Sequence, residues 1–139
     1  MASTFTLRLV TPTGIVFEGE VDQVNAFGPL GEFGVLPEHI NFITSLAPGI
    51  AEIKMVGGDV LRYVISGGFA EVKDGEMTLL ADGAESPESL NRAQVDEELT
   101  AAEATVSAMN SYDPAYVDAS SALMLARARR EATELKSRA

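Results

Sequence analysis

Few side chains in this sequence combine the types and the spacing that catalysis or ligand binding requires. Glu32 and Glu38 could form a carboxylate pair for general acid and base catalysis, as in glycosidases. However, the chain has no Trp to form a sugar platform, and with 21 acidic residues such a pair is not distinctive. His39 is the one His of the sequence, and without a second His or a Cys it makes a poor metal ligand.

Two glycine-containing segments also lack the context of a catalytic or binding motif. Ser66-Gly67-Gly68 does not fit the Gly-x-Ser-x-Gly pattern of a nucleophile elbow, and the strand–turn–helix context is missing. Gly28–Gly34 has three Gly at a spacing of three, but it does not open a helix as a phosphate-binding loop does. The sequence therefore predicts no catalytic residue, no cofactor and no metal ion.

Length, charge and cysteine content narrow the class of protein. The 139 residues suit one domain, or a domain with an appendage, and carry a net charge of −11. This charge argues against nucleic acid or an anionic membrane surface as the main partner. The chain has no Cys, which excludes disulfides and zinc–thiolate sites. It shows no signal peptide and no apolar run near the roughly 20 residues of a membrane-spanning helix, so we expect a soluble protein.

Glycine and alanine are distributed unevenly along the chain. All 12 Gly lie between Gly14 and Gly83, whereas 12 Ala lie in the last 53 residues. Gly is typical of turns between strands, and Ala is the strongest helix former. The distribution predicts two units that join near Ser86–Pro87: a β domain over residues 1–86 and an α-helical unit over residues 87–139.

The glycine-rich part has the short alternating runs of an antiparallel β-sandwich. Asp74-Gly75 lies between two of these runs and predicts a type I′ hairpin turn, and Ile40–Leu46 could form one short helical turn. We expect a flattened sandwich of two stacked sheets rather than a closed barrel. The runs predicted to be strands are Phe5–Val10, Val16–Ala26, Ile50–Met55, Val60–Ser66, Phe69–Lys73 and Met77–Ala81.

The alanine-rich part has the pattern of an antiparallel two-helix hairpin. Ser86 and Pro87 predict the start of the first helix, and Asp113 and Pro114 repeat that signature for the second. Because the apolar stripes are narrow, we expect the helices to pack on each other and on either the sandwich or a partner protein. The stripes are Val95, Leu99, Ala102, Val106 and Met109 in the first helix and Leu125, Ala128, Ala132 and Leu135 in the second.

Charge is also divided within the hairpin. Residues 87–126 have a net charge of −6, and residues 127–139 have a net charge of +3. The basic end either complements the helix dipole or docks on an acidic surface elsewhere, and composition does not choose between the two. Its cations are Arg127, Arg129, Arg130, Lys136 and Arg138.

Three spaced motifs resemble one known family. Gly28–His39 fits the pattern G-x-x-G-x-x-G-[IV]-x-P-x-H, and Thr44–Gly49 fits T-x-L-x-P-G. Ser66–Gly68, followed by Glu71-Val72 and Leu80–Asp82, fits S-G-G…E-V…L-A-D. In this order and over nearly the whole chain, the motifs resemble the epsilon subunit of the bacterial and chloroplast F-type ATP synthase, the counterpart of the mitochondrial delta subunit.

The resemblance implies a non-catalytic central-stalk subunit that turns as part of the rotor. Its β-sandwich would dock on the gamma subunit and the ring of c subunits, as a peripheral protein on the cytoplasmic face of the bacterial inner membrane. The family pattern carries the contact with the c ring and gamma over to Gly31, Glu32, Phe33 and His39, with Glu32 facing the c ring and His39 near gamma.

The resemblance also implies a regulatory role for the helical hairpin. In many family members the hairpin either lies folded on the sandwich or extends along gamma toward the catalytic hexamer, where it impedes ATP hydrolysis. Arg127, Arg129 and Arg130 are the cations that would contact the alpha and beta subunits transiently in the extended state.

One family motif is degraded in this chain. Some members bind ATP through an [IL]-D-x-x-R-A pattern at the start of the first helix. Val95–Thr100 keeps the acid as Asp96 but has Leu99 where the Arg belongs and Thr100 where the Ala belongs. Because a triphosphate without a cationic donor is poorly neutralised, we expect no physiologically useful nucleotide binding.

Two other classes of protein stay open on the residues alone. The first is a free-standing adapter whose β-sandwich binds a partner and whose hairpin grips it. The second is a carbohydrate-active enzyme that uses Glu32 and Glu38. Co-purification with alpha, beta and gamma would separate the ATP synthase subunit from the adapter.

Overall fold

The computed structural model describes residues 4–137. Residues 1–3 and 138–139 lie outside this part, and with them the predicted cation Arg138. Within residues 4–137, nine strands are followed by a single 3₁₀ turn (Pro87–Ser89) and two α-helices. The strands are β1 (Phe5–Thr11), β2 (Gly14–Gly28), β3 (Gly31–Val35), β4 (Phe42–Leu46), β5 (Gly49–Met55), β6 (Val60–Ile65), β7 (Gly68–Lys73), β8 (Glu76–Ala81) and β9 (Ala84–Glu85), and the helices are α1 (Arg92–Ser107) and α2 (Tyr116–Ser137).

The strands form the predicted β-sandwich. They are hydrogen-bonded in the order β4-β7-β8-β1-β2-β5-β6-β9, with β3 paired to β2 as a branch. Most neighbours are antiparallel, as expected, but β1 and β8 run parallel, with Leu9 opposite Leu79. The alternation of apolar and polar residues has the same period of two in both kinds of pair, so it could not predict the parallel one.

The main core lies between the inner faces of the strands. In β1, Phe5, Leu7 and Leu9 are buried, whereas Arg8 between them is exposed. This alternation arises because successive side chains of a strand point to opposite faces. The largest fully buried side chains of this core are Leu7, Leu9, Val21, Val24, Val35, Ile53, Met77 and Leu79.

Two turns depend on residues that accept a positive φ. Asp74 has φ 52° and Gly75 has φ 80°, and they join β7 to β8, which confirms the predicted type I′ hairpin. Gly68 begins β7 with φ 132°, and a Cβ there would lie 1.9 Å from the carbonyl oxygen of Leu80. Only Gly fits at this position.

Three strands were not predicted, namely β3, β4 and β9. The helical turn expected over Ile40–Leu46 is wrong, since Phe42–Leu46 is β4 and pairs with β7, with Ser45 opposite Phe69. A short apolar run does not distinguish strand from helix by itself, and here the pairing with β7 decides.

The starts of the helices also differ from the prediction. Ser86 precedes only the 3₁₀ turn, where its side chain makes no capping hydrogen bond. The cap of α1 is Asn91, whose side-chain oxygen accepts a hydrogen bond from the Gln94 amide at 3.0 Å. Asp113 accepts from the Ala115 amide at 2.9 Å, and α2 begins at Tyr116.

The helices pack on each other and on the sandwich through a second, smaller apolar cluster. In it, Ala128 and Ala132 of α2 are buried, and Leu125 and Leu135 are half-buried around them. Their partners come from β5, β6, the turn before α1 and α1 itself: Ile50, Val64, Leu90 and Val95. The predicted stripe of α2 thus faces inward, whereas Val95 is the buried member of the α1 stripe.

Candidate functional site

A tight hairpin between β2 and β3 carries the first part of the glycine-rich motif. Gly28 pairs with Gly31, so Pro29 and Leu30 form the two-residue connection. Gly31 has φ 116°, a conformation that favours Gly, and Leu30 is fully exposed at the tip. The hairpin therefore projects an apolar side chain into solvent.

Glu32 and Phe33 follow on β3 and point to opposite faces of the strand. Glu32 is exposed, whereas Phe33 is half-buried and packs against the main core. The ring of Phe33 meets that of Phe42 edge-on, with centroids 5.8 Å apart and planes at 89°. A groove of about 500 Å³ opens between Gly28–Phe33 and Phe42–Thr44.

His39 joins this site through Phe42. Its ring lies 5.0 Å from the Phe42 ring, and its Nδ1 lies 2.8 Å from the Ile40 carbonyl oxygen. Because a carbonyl oxygen can only accept, Nδ1 carries the hydrogen. Phe42 thus brings Phe33 and His39 together, and Gly31 and Glu32 line the same groove.

The exposed outer face of the sandwich carries an apolar row that the sequence analysis missed. Ile15, Val10, Leu80 and Phe69 are consecutive cross-strand neighbours on β2, β1, β8 and β7. Ile15, Leu80 and Phe69 are each more than half exposed. The next row on the same face is polar, and its members are Glu18, Arg8, Thr78 and Glu71.

A signal for this row was present in the sequence. In β1 and β8 an apolar residue follows a buried one directly, as Val10 follows Leu9 and Leu80 follows Leu79. Such doublets place an apolar side chain on each face of a strand. Only the register between the strands shows that the outer members line up.

The three arginines predicted to contact other subunits do not share one environment. Arg127 is exposed and lies beside Met124 at the edge of a groove against Phe27 and Pro48. Arg129 and Arg130 instead turn toward the rest of the chain, where carboxylates meet both.

Arg130 illustrates the effect of these carboxylates. Its guanidinium donates hydrogen bonds to Glu134 and to Asp96. The hydrogen bond to Glu134, followed by the hydrogen bond and charge of Asp96, raises the pKa of Arg130 above its ordinary value. The cation is therefore held firmly in its charged form.

The degraded nucleotide motif lies at the same place. Asp96 faces Arg92 at 3.5 Å as well as Arg130, so carboxylate and guanidinium groups of the chain pair with each other there. Leu99 is half-buried on α1, in the stripe that the spacing predicted. The absence of nucleotide binding stays a prediction.

The other residues considered for catalysis, Glu32, Glu38 and Ser66, lie on different elements of the chain. Glu32 is on β3, and Glu38 lies in the following loop with φ 65°. Ser66 Oγ lies 3.5 Å from the Gly83 carbonyl oxygen, to which it donates a hydrogen bond. Among the described residues, no three His, Cys, Asp or Glu side chains are placed to hold a metal ion. Neither helix described in residues 4–137 is long and apolar enough to cross a membrane.

Known proteins resemble this chain in sequence and in structure. A family model described as the β-sandwich domain of the ATP synthase delta/epsilon chain matches residues 4–87. An ATP synthase epsilon chain from Bradyrhizobium sp. (strain ORS 278) is 40% identical over 102 residues, which cover 73% of this chain and 75% of the relative. One from Desulfitobacterium hafniense is 44% identical over 103 residues, with 74% and 75% covered.

Structural comparison extends the similarity to the helices. A chain in the cryo-EM structure of Euglena gracilis mitochondrial ATP synthase, OSCP/F1/c-ring in rotational state 1, superposes with a TM-score of 0.82 and 27% identity. The superposition covers 96% of this chain and 83% of that one. The similarity thus includes the helical hairpin of α1 and α2 as well as the β-sandwich.

Proposed function

This chain belongs to the delta/epsilon-chain family of ATP synthase, and from that premise we propose that it is a central-stalk subunit that joins the c ring and gamma to the catalytic hexamer. It performs no reaction itself and works by contact and by change of conformation. In a bacterial cell it lies as a peripheral protein on the cytoplasmic side of the inner membrane, and the c ring connects it to that membrane.

The observation that carries the docking proposal is the exposed apolar row of Ile15, Val10, Leu80 and Phe69. A contiguous apolar surface on a folded domain marks a face that a partner covers. We assign this face to gamma. Strand β4 pairs with β7 and so lies beside the row, whereas its Phe42, which contacts the ring of the loop residue His39, faces the core.

The hairpin of β2 and β3 suits the second contact, with the c ring. Its two-residue tip is narrow and exposes Leu30, and Gly31 and Glu32 follow directly. A compact glycine-containing turn lets a partner approach the backbone closely. We assign Gly31, Glu32 and Phe33 to this contact, and His39 to the border with gamma.

The helical hairpin supplies regulation in this proposal. Residues 87–137 lie folded on the sandwich in the structure, and release of α2 would free Arg129 and Arg130, together with the already exposed Arg127, to contact the alpha and beta subunits. ATP hydrolysis by the reconstituted catalytic complex, with and without residues 87–139, tests this role. We expect the truncated complex to assemble normally and to hydrolyse ATP faster; unchanged hydrolysis would refute the regulatory role.

The docking face has a matched test within the same two strands. Phe69→Ser with Leu80→Ser removes apolar surface from the row, and Glu71→Ser with Thr78→Ser changes the neighbouring polar pair. We expect the first double variant to bind gamma about tenfold more weakly or worse, because central apolar contacts dominate binding energy, and the second to bind normally. Equal binding by both variants would exclude this face. A chain that co-purifies with no ATP synthase subunit would instead support the adapter.

A further inference from the structure

Little apolar surface holds α2 against the rest of the chain. The buried side chains that α2 adds to the second cluster are those of Ala128 and Ala132, with Leu125 and Leu135 half-buried. An Ala side chain buries a single methyl group, so each contributes far less than a buried Leu. Leu123 and Ala126 of α2 are buried as well, outside this cluster. Because Leu123 is the only large apolar side chain of α2 that is buried among the described residues, the ion pairs of α2 gain importance for its docking.

Arg129 connects α2 to two other elements at once. Its Nε lies 3.1 Å from Glu85 Oε1 on β9, and its Nη2 donates to Glu85 Oε2 at 3.4 Å. Its Nη1 donates to Glu98 on α1. The side chain of Arg129 is only 20% exposed, so these ion pairs are partly shielded from solvent.

Arg130 makes a second connection one residue further along. It donates to Asp96 on α1 and to Glu134 on its own helix. Asp96 is also approached by Arg92, so the carboxylate lies between two cations. Residues 129 and 130 thus link α2 to β9 and α1.

The charges of the two helices complement each other. Helix α1 has four acidic residues and one Arg, whereas α2 has four cations and three acidic residues. If α2 left, Glu98 would lose its partner Arg129, and Arg129 would need new anions. Asp96 would keep Arg92, and Arg130 would keep Glu134. The folded position is therefore favoured by charge as well as by apolar contact.

We propose that Arg129 and Arg130, with Glu85, Asp96 and Glu98, form an electrostatic latch that keeps α2 folded on the sandwich. Its regulatory meaning rests on the proposed function. Two of the three cations assigned to the alpha and beta contact, Arg129 and Arg130, are paired with the chain's own carboxylates, so an acidic partner would compete with those carboxylates for them. An acidic partner or high ionic strength releases the latch, and the second apolar cluster alone then holds α2 weakly.

Hydrogen exchange of the full chain in isolation tests the latch. Arg129→Gln and Arg130→Gln are compared with Arg127→Gln, which removes the same charge from an exposed position of the same helix. At low ionic strength we expect amides of α2 to exchange about tenfold faster in the first two variants, with the sandwich amides unchanged. The control should remain within about twofold of the unaltered chain, since exposed charges contribute little.

The effect of salt and the effect of a double variant on α2 exchange provide two further tests of the latch. About 0.5 M NaCl should accelerate α2 exchange in the unaltered chain and have little further effect in Arg129→Gln. Adding Glu98→Gln to Arg129→Gln should lower the free energy of opening of α2 by less than the sum of the two single changes, because both changes remove the same ion pair. Equal exchange in Arg129→Gln and Arg127→Gln, or faster exchange in sandwich and α2 alike, would overturn the latch.

The latch and the regulatory role are tested by different measurements, so either can be refuted without the other. The latch is measured on the isolated chain, whereas inhibition is measured on the catalytic complex with and without residues 87–139. Faster α2 exchange in Arg129→Gln together with unchanged hydrolysis on truncation would keep the latch and refute regulation. Faster hydrolysis on truncation with normal α2 exchange in both arginine variants would do the reverse.

Discussion

Phe33 on β3 and Phe42 on β4 meet edge-to-face with ring centroids 5.8 Å apart, although no backbone pairing joins their strands directly. The contact connects the branch of the sheet to its edge strand. His39, whose ring lies 5.0 Å from that of Phe42, depends on the same side chain for its position. Phe42 is therefore the packing centre of the glycine-rich site.

We predict that Phe42→Ala destabilises the chain by about 2 kcal/mol, below the usual cost for a fully buried Phe because the side chain is half-buried. Urea denaturation followed by circular dichroism measures the change. Ile43→Ala is the control on the same strand, and because Ile43 is 68% exposed it should cost less than about 0.5 kcal/mol. Similar losses in both variants would show that the aromatic contact adds no stability.

The loop before His39 contains a strained residue. Glu38 has φ 65°, in the left-handed region that favours Gly. Glu38→Gly should stabilise the fold by about 0.5–1 kcal/mol, the relief of strain less the entropy cost of Gly. Glu71→Gly, at an exposed position within β7, should destabilise by a similar amount. Thermal unfolding compares the two, and a loss of stability in Glu38→Gly would contradict the assignment of strain.

Much of the sandwich could be predicted because its signals are local. Alternation along Phe5–Val10 and the Asp74-Gly75 turn depend on neighbouring residues, and both are confirmed. The motifs from Gly28 to Asp82 likewise identified the family correctly. The boundary between units at Ser86–Pro87 stays a prediction, although β9 ends at Glu85.

What the sequence could not predict depends on distant partners. The strand β4 exists because β7 lies beside it, and the apolar row exists because the register places Phe69 opposite Leu80. The pairing of Arg129 with Glu85 joins residues 44 positions apart. Contacts of this kind follow from topology, which periodicity and charge counts do not contain.

The start of β7 gives a test of backbone geometry. Gly68→Ala places a methyl group 1.9 Å from the Leu80 carbonyl oxygen at a φ of 132°, so the backbone of β8 must move. We expect a loss of roughly 3 kcal/mol or more in urea denaturation. Gly19→Ala on β2, where the new methyl group would lie 3.5 Å from the Phe17 ring at an ordinary φ, should change stability little. If Gly68→Ala were as stable as Gly19→Ala, the close approach would be disproved.

Glu20 makes the stability of the sheet depend on pH. Hydrogen bonds from Thr6, at 2.6 Å, and from Thr4, at 2.8 Å, lower the pKa of the Glu20 carboxyl in the folded chain. Because the folded pKa lies below the unfolded one, the stabilisation is complete above the unfolded pKa and is lost as the pH falls through the folded pKa.

Glu20→Gln removes this titration, so the unaltered chain should lose more stability than the variant on acidification. Thr6→Val, which removes the larger cause of the shift, should reproduce most of the effect. The free energy of unfolding, measured from neutral pH down through the carboxyl range, checks both variants, and identical pH slopes in all three chains would show that the two threonine hydrogen bonds do not stabilise the charged form.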